Sequence, residues 1–198
     1  MGHWGETEKR LKPFLGLKTD SVAIHGGQTP DPTTGAVMPP IFQTSTYAQR
    51  EPGKPYGDFE YSRSHNPTRR MLEDCVALLE NGTYGFATAC GMNAVTLAIS
   101  LLKQGDEVIC CDDVYGGTYR IFTKMFPQAG LKFQFADLAQ ASALEKLGTP
   151  ATKMVWLESP TNPLLKLIDI KAVAEICKKK GWLLVVDNTF MSPIFQGP

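Results

Sequence analysis

The sequence lacks the features that mark membrane proteins and nucleic-acid-binding proteins. No apolar run approaches the roughly 18–20 residues needed to cross a bilayer, and the first twenty residues have no continuous apolar core of the kind found in signal peptides. The 20 Lys and Arg residues balance 20 Asp and Glu residues, so no basic excess is present for a phosphate backbone or an anionic membrane surface. We therefore expect no nucleic-acid partner and no membrane partner.

Several ligand-binding motifs are also missing. The five cysteines form no CxxC pair and no zinc spacing, which favours reduced thiols in a cytoplasmic protein without a metal site. Neither GxGxxG nor GxxxxGK[ST] occurs, so NAD and ATP are poor candidate ligands. What is present is the composition of a folded protein, with 43% hydrophobic and 20% charged residues in a chain of 198.

Proline separates the chain into two parts of different character. Eight of the 14 prolines lie in residues 1–67, where long periodic segments are few. We predict an irregular N-terminal arm over residues 1–62, with little core of its own. From residue 63 onward the pattern is regular, and we predict the first part of a folded domain over residues 63–198.

Short apolar runs alternate with helical patterns in this second part. A first helix is predicted to be capped by Thr68 and to end near Gly82. Further strands are predicted at 84–89, 107–111, 131–135, 153–157 and 182–187, and further helices at 92–103, 118–126, 140–147 and 169–180. Strands separated by helices indicate an α/β fold with a mostly parallel sheet, whose binding groups lie at the carboxyl ends of the strands.

Two of these strand ends carry residues suited to a phosphorylated or cationic ligand. The turn Cys90-Gly91-Met92 opens a helix, where free N–H groups and the helix dipole favour a phosphate; a purely steric turn glycine is the alternative. Asp187 ends the apolar run Leu-Leu-Val-Val, where a carboxylate needs a partner such as a protonated ring nitrogen. A capping or salt-bridged aspartate would look the same.

Two further loops and one segment of the arm carry weaker signals. Tyr115 follows a strand and could stack on a flat ligand or be a surface aromatic. Asn162 lies in a loop stiffened by two prolines, where it could donate a hydrogen bond or belong to a structural turn. Arg63 suits bidentate contact with a phosphate or carboxylate, and an exposed arginine without a role is the alternative.

Five motifs in order along the chain resemble one enzyme family. They are FEYSRS at 59–64, NPTR at 66–69, DVYGGT at 113–118, SPTNP at 159–163 and VDNTF at 186–190. These motifs are similar to those of the Cys/Met-metabolism family of fold-type-I pyridoxal phosphate enzymes, from about residue 22 to the end of the chain. Residues 185–196 most resemble the γ-lyase branch. The resemblance implies an aspartate-aminotransferase-like fold with pyridoxal 5′-phosphate as cofactor.

The resemblance also implies a role for each matching residue near the cofactor ring. Gly91 and Met92 would offer N–H groups to the phosphate. Tyr115 would stack on the ring and take part in catalysis, and Asp187 would hold the ring nitrogen protonated. Asn162 would lie at the hydroxyl side of the ring.

Three other residues complete the implied binding set. Thr189 would line the same wall of the site as Asn162. In this family Tyr61 and Arg63 reach into a neighbouring subunit and bind its phosphate. The resemblance therefore implies a homotetramer built from dimers with shared active sites, and a use for the N-terminal arm.

The chain departs from the family pattern in three places. Cys90 stands where many relatives have serine, and Gly117 stands where methionine γ-lyases have cysteine. The Ser-x-Thr-Lys motif that holds the family's Schiff-base lysine does not occur before Pro198. We therefore name no catalytic lysine and expect the 198 residues to be part of a longer enzyme.

The activity implied is that of a carbon–sulfur lyase acting on a sulfur amino acid. It would convert L-cystathionine to L-cysteine, 2-oxobutyrate and ammonia by γ-elimination. Cystathionine γ-synthase, cystathionine β-lyase and methionine γ-lyase share most of these motifs and remain alternatives. An inactive, truncated subunit with an assembly or regulatory role is the alternative from another class.

Overall fold

The computed structural model describes residues 4–198, so that residues 1–3 of the predicted arm lie outside the described residues. The backbone forms two compact units, of which the first ends at Ala87 and the second begins at Thr88. The predicted boundary after residue 62 falls inside the first unit. The division into an arm and a cofactor-binding domain stays a prediction.

The first unit contains more regular structure than the irregular arm that was predicted. Its helices are α1 (Trp4–Leu11), α2 (Thr19–His25) and α3 (Pro67–Leu79), its antiparallel hairpin is formed by β1 (Gln49–Glu51) and β2 (Lys54–Pro55), and a 3-10 turn covers Lys12–Phe14. Leu11, Val22 and Ala77 are buried. The prediction missed α1 and α2 because each contains so few apolar residues in its sequence that no helical period stands out.

An ion pair and a side-chain cap fix helix α3. The guanidinium of Arg10 donates to both carboxylate oxygens of buried Asp74, at 2.9 and 2.8 Å. The side chain of Asn66 accepts from the Thr68 N–H at 2.9 Å and caps the helix. The predicted cap at Thr68 was therefore wrong, because Pro67 already takes the first helical position, where its fixed φ and missing N–H are favourable.

The strand predicted at 84–89 is absent. Strand geometry requires a hydrogen-bonded neighbour, and no strand of the described residues pairs with this segment. Within the first unit, the backbone N–H of Ala87 donates instead to the Glu73 side chain at 3.0 Å. The segment belongs to neither sheet of the described residues.

The second unit is a parallel α/β sheet, which confirms the predicted fold class. Its strands are β3 (Glu107–Cys111), β4 (Lys132–Ala136), β5 (Thr152–Glu158) and β6 (Leu183–Asp187), in the order β4-β3-β5-β6. Its helices are α4 (Gly91–Ile99), α5 (Gly116–Lys124), α6 (Ala143–Leu147), α7 (Ile170–Lys180) and α8 (Ser192–Phe195), with a 3-10 turn at Phe126–Ala129. Helices α4 and α6 are shorter than predicted.

The core of the second unit surrounds its two central strands, β3 and β5. Phe122 of α5 is fully buried, stacks on Phe133 at 4.5 Å and meets Trp156 edge-on at 5.3 Å between ring centroids. Burial of each such side chain is worth roughly 1.5–3 kcal/mol. No helix within residues 4–198 is long and apolar enough to cross a membrane.

The register of this sheet decides which strand ends are neighbours. Glu158, the last residue of β5, lies opposite Asp187, the last residue of β6. Because all four strands are parallel, the loops that follow them leave from one edge of the sheet. Two acidic residues that are far apart in sequence therefore lie side by side at that edge.

Candidate functional site

A cavity of about 460 Å³ lies at the carboxyl edge of the sheet in the second unit. Its walls come from the start of α4, the start of α5 and the loops after β5 and β6. Six of the eight residues predicted to bind a cofactor line it, namely Gly91, Met92, Tyr115, Asn162, Asp187 and Thr189. Local structure at each wall explains how these side chains and backbone groups reach the cavity.

The start of α4 offers unsatisfied backbone donors to the cavity. Cys90 is the N-cap residue and has an extended backbone, but its side chain makes no capping hydrogen bond; the thiol lies 3.0 Å from Asn93 Oδ1. The N–H groups of Gly91 and Met92, in the first turn, have no intrahelical acceptor. A Cβ atom built on Gly91 would meet no atom within 4 Å, so the space beside this glycine is open.

Tyr115 places a half-exposed ring at the start of α5. It is the N-cap residue of that helix, and its backbone N–H donates to Glu158 Oε1 at 2.8 Å. A Cβ atom on Gly117 would come within 2.5 Å of the Tyr115 ring and 2.8 Å of Met92 Sδ. The Tyr115 ring therefore packs against residue 117, where any side chain larger than that of glycine would overlap the ring.

The loop after β5 holds Asn162 between two prolines. The flanking residue Thr161 donates its hydroxyl to the buried carboxylate of Asp113, which also accepts the Leu164 N–H at 2.8 Å. Pro160 and Asn162 line the cavity. Asp113 is used inside this loop, and its neighbour Asp112 pairs with Lys166 at 2.9 Å. The described residues contain no cluster of three or more metal-ligating side chains.

Asp187 and Thr189 form the wall after β6. Asp187 Oδ1 accepts from the Thr189 backbone N–H at 3.1 Å and from the Thr189 hydroxyl at 2.5 Å. This pair of hydrogen bonds fixes the carboxylate at the mouth of the strand. Phe190 also lines the cavity and leaves half of its surface exposed.

Glu158 also lines the cavity, although no role was predicted for it. It is only 4% exposed, and burial raises its pKa to about 7, although the hydrogen bond from the Tyr115 N–H lowers that pKa. The negative charges of Asp187 and Asp113 contribute to this rise in pKa, and the Asn162 N–H opposes it. A carboxyl group near half-ionisation at neutral pH thus adjoins Asp187.

A family model described as the Cys/Met metabolism PLP-dependent enzymes matches residues 20–198. The chain belongs to this family. Its members depend on pyridoxal phosphate, and the resemblance seen in the five motifs is confirmed.

Individual members of the Cys/Met metabolism family are similar over most of this chain. A cystathionine β-lyase of Coxiella burnetii is 52% identical over 180 residues, which are 90% of this chain and 46% of the relative. A cystathionine γ-lyase of Dictyostelium discoideum is 50% identical over 181 residues, 91% of this chain and 47% of the relative. The chain thus spans about half the length of these relatives.

A solved member of the family shares the fold. The crystal structure of cystathionine γ-lyase from Lactobacillus plantarum, complexed with L-serine, superposes with a TM-score of 0.88 at 42% identity. The match covers 92% of this chain and 47% of that structure. The fold is therefore that of the fold-type-I pyridoxal phosphate enzymes, as predicted, and this chain spans part of it.

The cavity fits the family's phosphorylated, polar cofactor. Thr118 Oγ1 is fully buried on the cavity wall and has no hydrogen-bond partner among the described residues. A buried hydroxyl without a partner is unfavourable unless a ligand or water satisfies it. The open space beside Gly91 lies at a helix N-terminus, which attracts phosphate. Aromatic, acidic and amide groups around the same space suit a cationic heteroaromatic ring.

Tyr61 and Arg63 belong to the first unit. Arg63 lies over the Tyr61 ring, with its guanidinium carbon 5.0 Å from the ring centroid, and both residues are exposed. Backbone pairing of Tyr61 with Thr46 holds this segment. The predicted role of the pair, binding the phosphate of a neighbouring subunit, stays a prediction.

Two cavity residues were missed by reasoning from the sequence. Glu158 carried the same signal as Asp187, a carboxylate at the end of a buried apolar strand, but was grouped with the proline-rich loop that follows. Thr118 carried no local signal, because a threonine in a helix is usually satisfied by its own backbone. Only the packing of α5 leaves its hydroxyl without an acceptor.

Proposed function

We propose that the full-length protein is a pyridoxal phosphate-dependent carbon–sulfur lyase of transsulfuration. It cleaves the Cγ–S bond of L-cystathionine and, with one water molecule, yields L-cysteine, 2-oxobutyrate and ammonia. The observation that carries this proposal is the convergence of three of the family's motifs, DVYGGT, SPTNP and VDNTF, on one cavity. Membership of the Cys/Met metabolism family supports the same conclusion.

The chain's own residues divide the binding of the cofactor between its phosphate and its ring. The N–H groups of Gly91 and Met92 bind the phosphate at the α4 N-terminus. Tyr115 stacks on one face of the ring, and Asn162 donates to its hydroxyl edge. Thr189 holds the Asp187 carboxylate in place through two hydrogen bonds.

Asp187 supplies the charge that the chemistry needs. Its carboxylate holds a proton on the ring nitrogen, since an adjacent negative charge favours the protonated form. Bound pyridoxal phosphate supplies an electron sink for carbanions next to the amino group of the substrate. Tyr115, which lines the cavity, moves a proton during the reaction.

Three related activities differ in the bond that reacts. The γ-lyase reaction is favoured by the resemblance of residues 185–196 to that branch, and Gly117 disfavours methionine γ-lyase. A β-lyase would instead release homocysteine, pyruvate and ammonia from the same substrate. A γ-synthase would form cystathionine from cysteine and an activated homoserine ester. The identity of the products separates all three.

We further propose a cytoplasmic homotetramer built from dimers with shared active sites. Tyr61 and Arg63 then bind the phosphate held by the partner subunit's cavity. This predicts complementation: when the impaired variants Arg63→Ala and Asp187→Asn are mixed and allowed to exchange subunits, activity rises above that of either variant alone, because one of the two sites in each hybrid dimer carries no substitution. No recovery after verified exchange would exclude sharing.

The function is tested with the full-length protein, pyridoxal phosphate and L-cystathionine, with keto acids and thiols quantified. Release of 2-oxobutyrate and cysteine supports the γ-lyase, whereas pyruvate and homocysteine would replace it by the β-lyase. Asp187→Asn is expected to lower kcat/KM roughly 10- to 100-fold, the equivalent of losing a hydrogen bond to a charged group. Asp137→Asn is the matched control, because Asp137 follows β4 outside the cavity. Equal effects of the two substitutions would contradict the role of Asp187.

A further inference from the structure

One buried carboxylate joins the two loops that carry Tyr115 and Asn162. Glu158 is the last residue of β5, almost fully buried, and lines the cavity. Its Oε1 accepts the Tyr115 N–H at 2.8 Å, and the Asn162 N–H lowers the pKa of the same carboxyl group. The connection runs from the end of one strand to the loop of its neighbour, 43 residues apart in sequence.

The Tyr115 loop depends on this contact for its backbone position. Tyr115 lies beyond the end of β3, where the sheet ladder no longer holds the chain, and its side chain makes no capping hydrogen bond to α5. A second carboxylate, Asp113, ties the same two loops together through Thr161 and Leu164. Thr161 and Leu164 do not line the cavity, whereas Tyr115, the partner of Glu158, does.

We propose that Glu158 is a positioning residue, which begins the loop that carries Asn162 and binds the backbone N–H of Tyr115, and so sets these two side chains at their places around the cofactor ring. This inference rests on the proposed function, since it assigns the ring to those two side chains. Glu158 acts through the loops and takes no step in the reaction.

The environment of Glu158 supports a role beyond packing. A buried carboxylate is unfavourable in a fold, and here Asp187 lies opposite it in the sheet and adds a second negative charge. Burial and both neighbouring aspartates raise the pKa of Glu158 to about 7. An apolar residue at the end of a buried strand would avoid that penalty but could not accept the Tyr115 N–H.

Different residues are assigned to the binding of the cofactor ring and to the binding of its phosphate. The phosphate is assigned to backbone N–H groups of Gly91 and Met92 at the start of α4, whereas Glu158 bonds to the Tyr115 and Asn162 loops. Loss of the Glu158 carboxylate is therefore expected to weaken ring binding and leave phosphate binding unchanged. General damage to the fold would weaken both.

The test uses the full-length apo-protein and two probes, pyridoxal 5′-phosphate and inorganic phosphate as its competitor. Glu158→Ala is expected to raise the Kd for pyridoxal phosphate roughly tenfold or more, since hydrogen bonds to a charged group are each worth about that factor. Glu158→Gln keeps one acceptor oxygen and the side-chain volume, so an intermediate Kd is expected. The Kd for inorganic phosphate stays within about twofold in both, and the visible circular dichroism of the bound cofactor falls because the ring is less fixed.

A carboxylate in the same sheet provides the matched control. Glu107 begins β3 and accepts the hydroxyls of Thr149 and Thr152 at 2.9 and 2.6 Å, away from the cavity. Glu107→Gln is expected to leave both Kd values and the circular dichroism unchanged. If Glu158→Ala does not fold, the Glu158→Gln values decide.

Two results would overturn the inference. One is wild-type affinity for pyridoxal phosphate in both Glu158 variants, and the other is an equal loss of affinity for both probes. A wild-type protein that fails to bind pyridoxal phosphate would instead overturn the proposed function, and the inference with it. The wild-type titration therefore distinguishes the two failures.

Discussion

Glu158 makes the stability of the apo-protein depend on pH in a predictable direction. Burial raises the pKa of this group from its ordinary value of 4.5 to about 7 in the folded chain. A tenfold change in proton affinity is worth about 1.4 kcal/mol, so complete ionisation lowers the free energy of unfolding by about 3 kcal/mol. The Asp187 and Asp113 charges contribute to this penalty, and the Tyr115 N–H opposes it.

The sign follows from the proton balance. Below pH 4.5 the carboxyl is protonated in both folded and unfolded chains, and the stabilising contribution is fully present. As the pH rises towards 7, the unfolded chain loses the proton first, so the folded state becomes less favoured. Above pH 7 both states are ionised and the contribution has been lost. Glu158→Gln removes the titration without removing the side-chain volume.

The measurement is urea unfolding of the apo-protein and of Glu158→Gln at pH 5 and pH 8. Relative to the wild type, the variant is expected to gain roughly 2–3 kcal/mol in unfolding free energy between these two pH values. Met154→Leu, a substitution in the same strand without an ionisable group, must change stability equally at both pH values. A difference between wild type and Glu158→Gln that does not vary with pH would refute the reasoning.

Three further substitutions test separate features of the second unit. Gly117→Ala places a Cβ atom within 2.5 Å of the Tyr115 ring, so the tyrosine ring must move. We expect a titration to show roughly tenfold weaker binding of pyridoxal phosphate. Unchanged affinity would contradict stacking by Tyr115. Gly148→Ala places a Cβ atom 2.2 Å from the Trp182 indole. Urea unfolding is expected to show that the free energy of unfolding falls by about 1–3 kcal/mol. An unchanged unfolding midpoint would show that the indole moves aside without cost. Cys90→Ser gives α4 a better N-cap and is expected to add about 0.5–1 kcal/mol by the same assay; a loss of stability would mean that the thiol is needed there.

The strands and most helices of the second unit were predictable because their signals are local. The run Leu-Leu-Val-Val before Asp187 is apolar enough to predict a buried strand, and β6 ends at that aspartate. The segment 84–89 carries a similar signal but forms no strand, because a ladder needs a second strand that the local sequence does not specify. The cap of α3 was misplaced by two residues because Pro67 and Asn66 compete with Thr68 for the same helix start.

The sequence by itself determined the family, the alternation of strands and helices, and six residues of the cavity wall, because motif and periodicity are properties of neighbouring residues. The tertiary structure alone decided that β5 lies beside β6, which places Glu158 against Asp187. It also decided that Glu158 is buried with the Tyr115 N–H as its backbone donor and that the Thr118 hydroxyl has no partner within the described chain. Burial and proximity depend on the pairing of strands that are about 30 to 45 residues apart in sequence. Whether a polar side chain finds a hydrogen-bond partner depends on the residues that this pairing brings together.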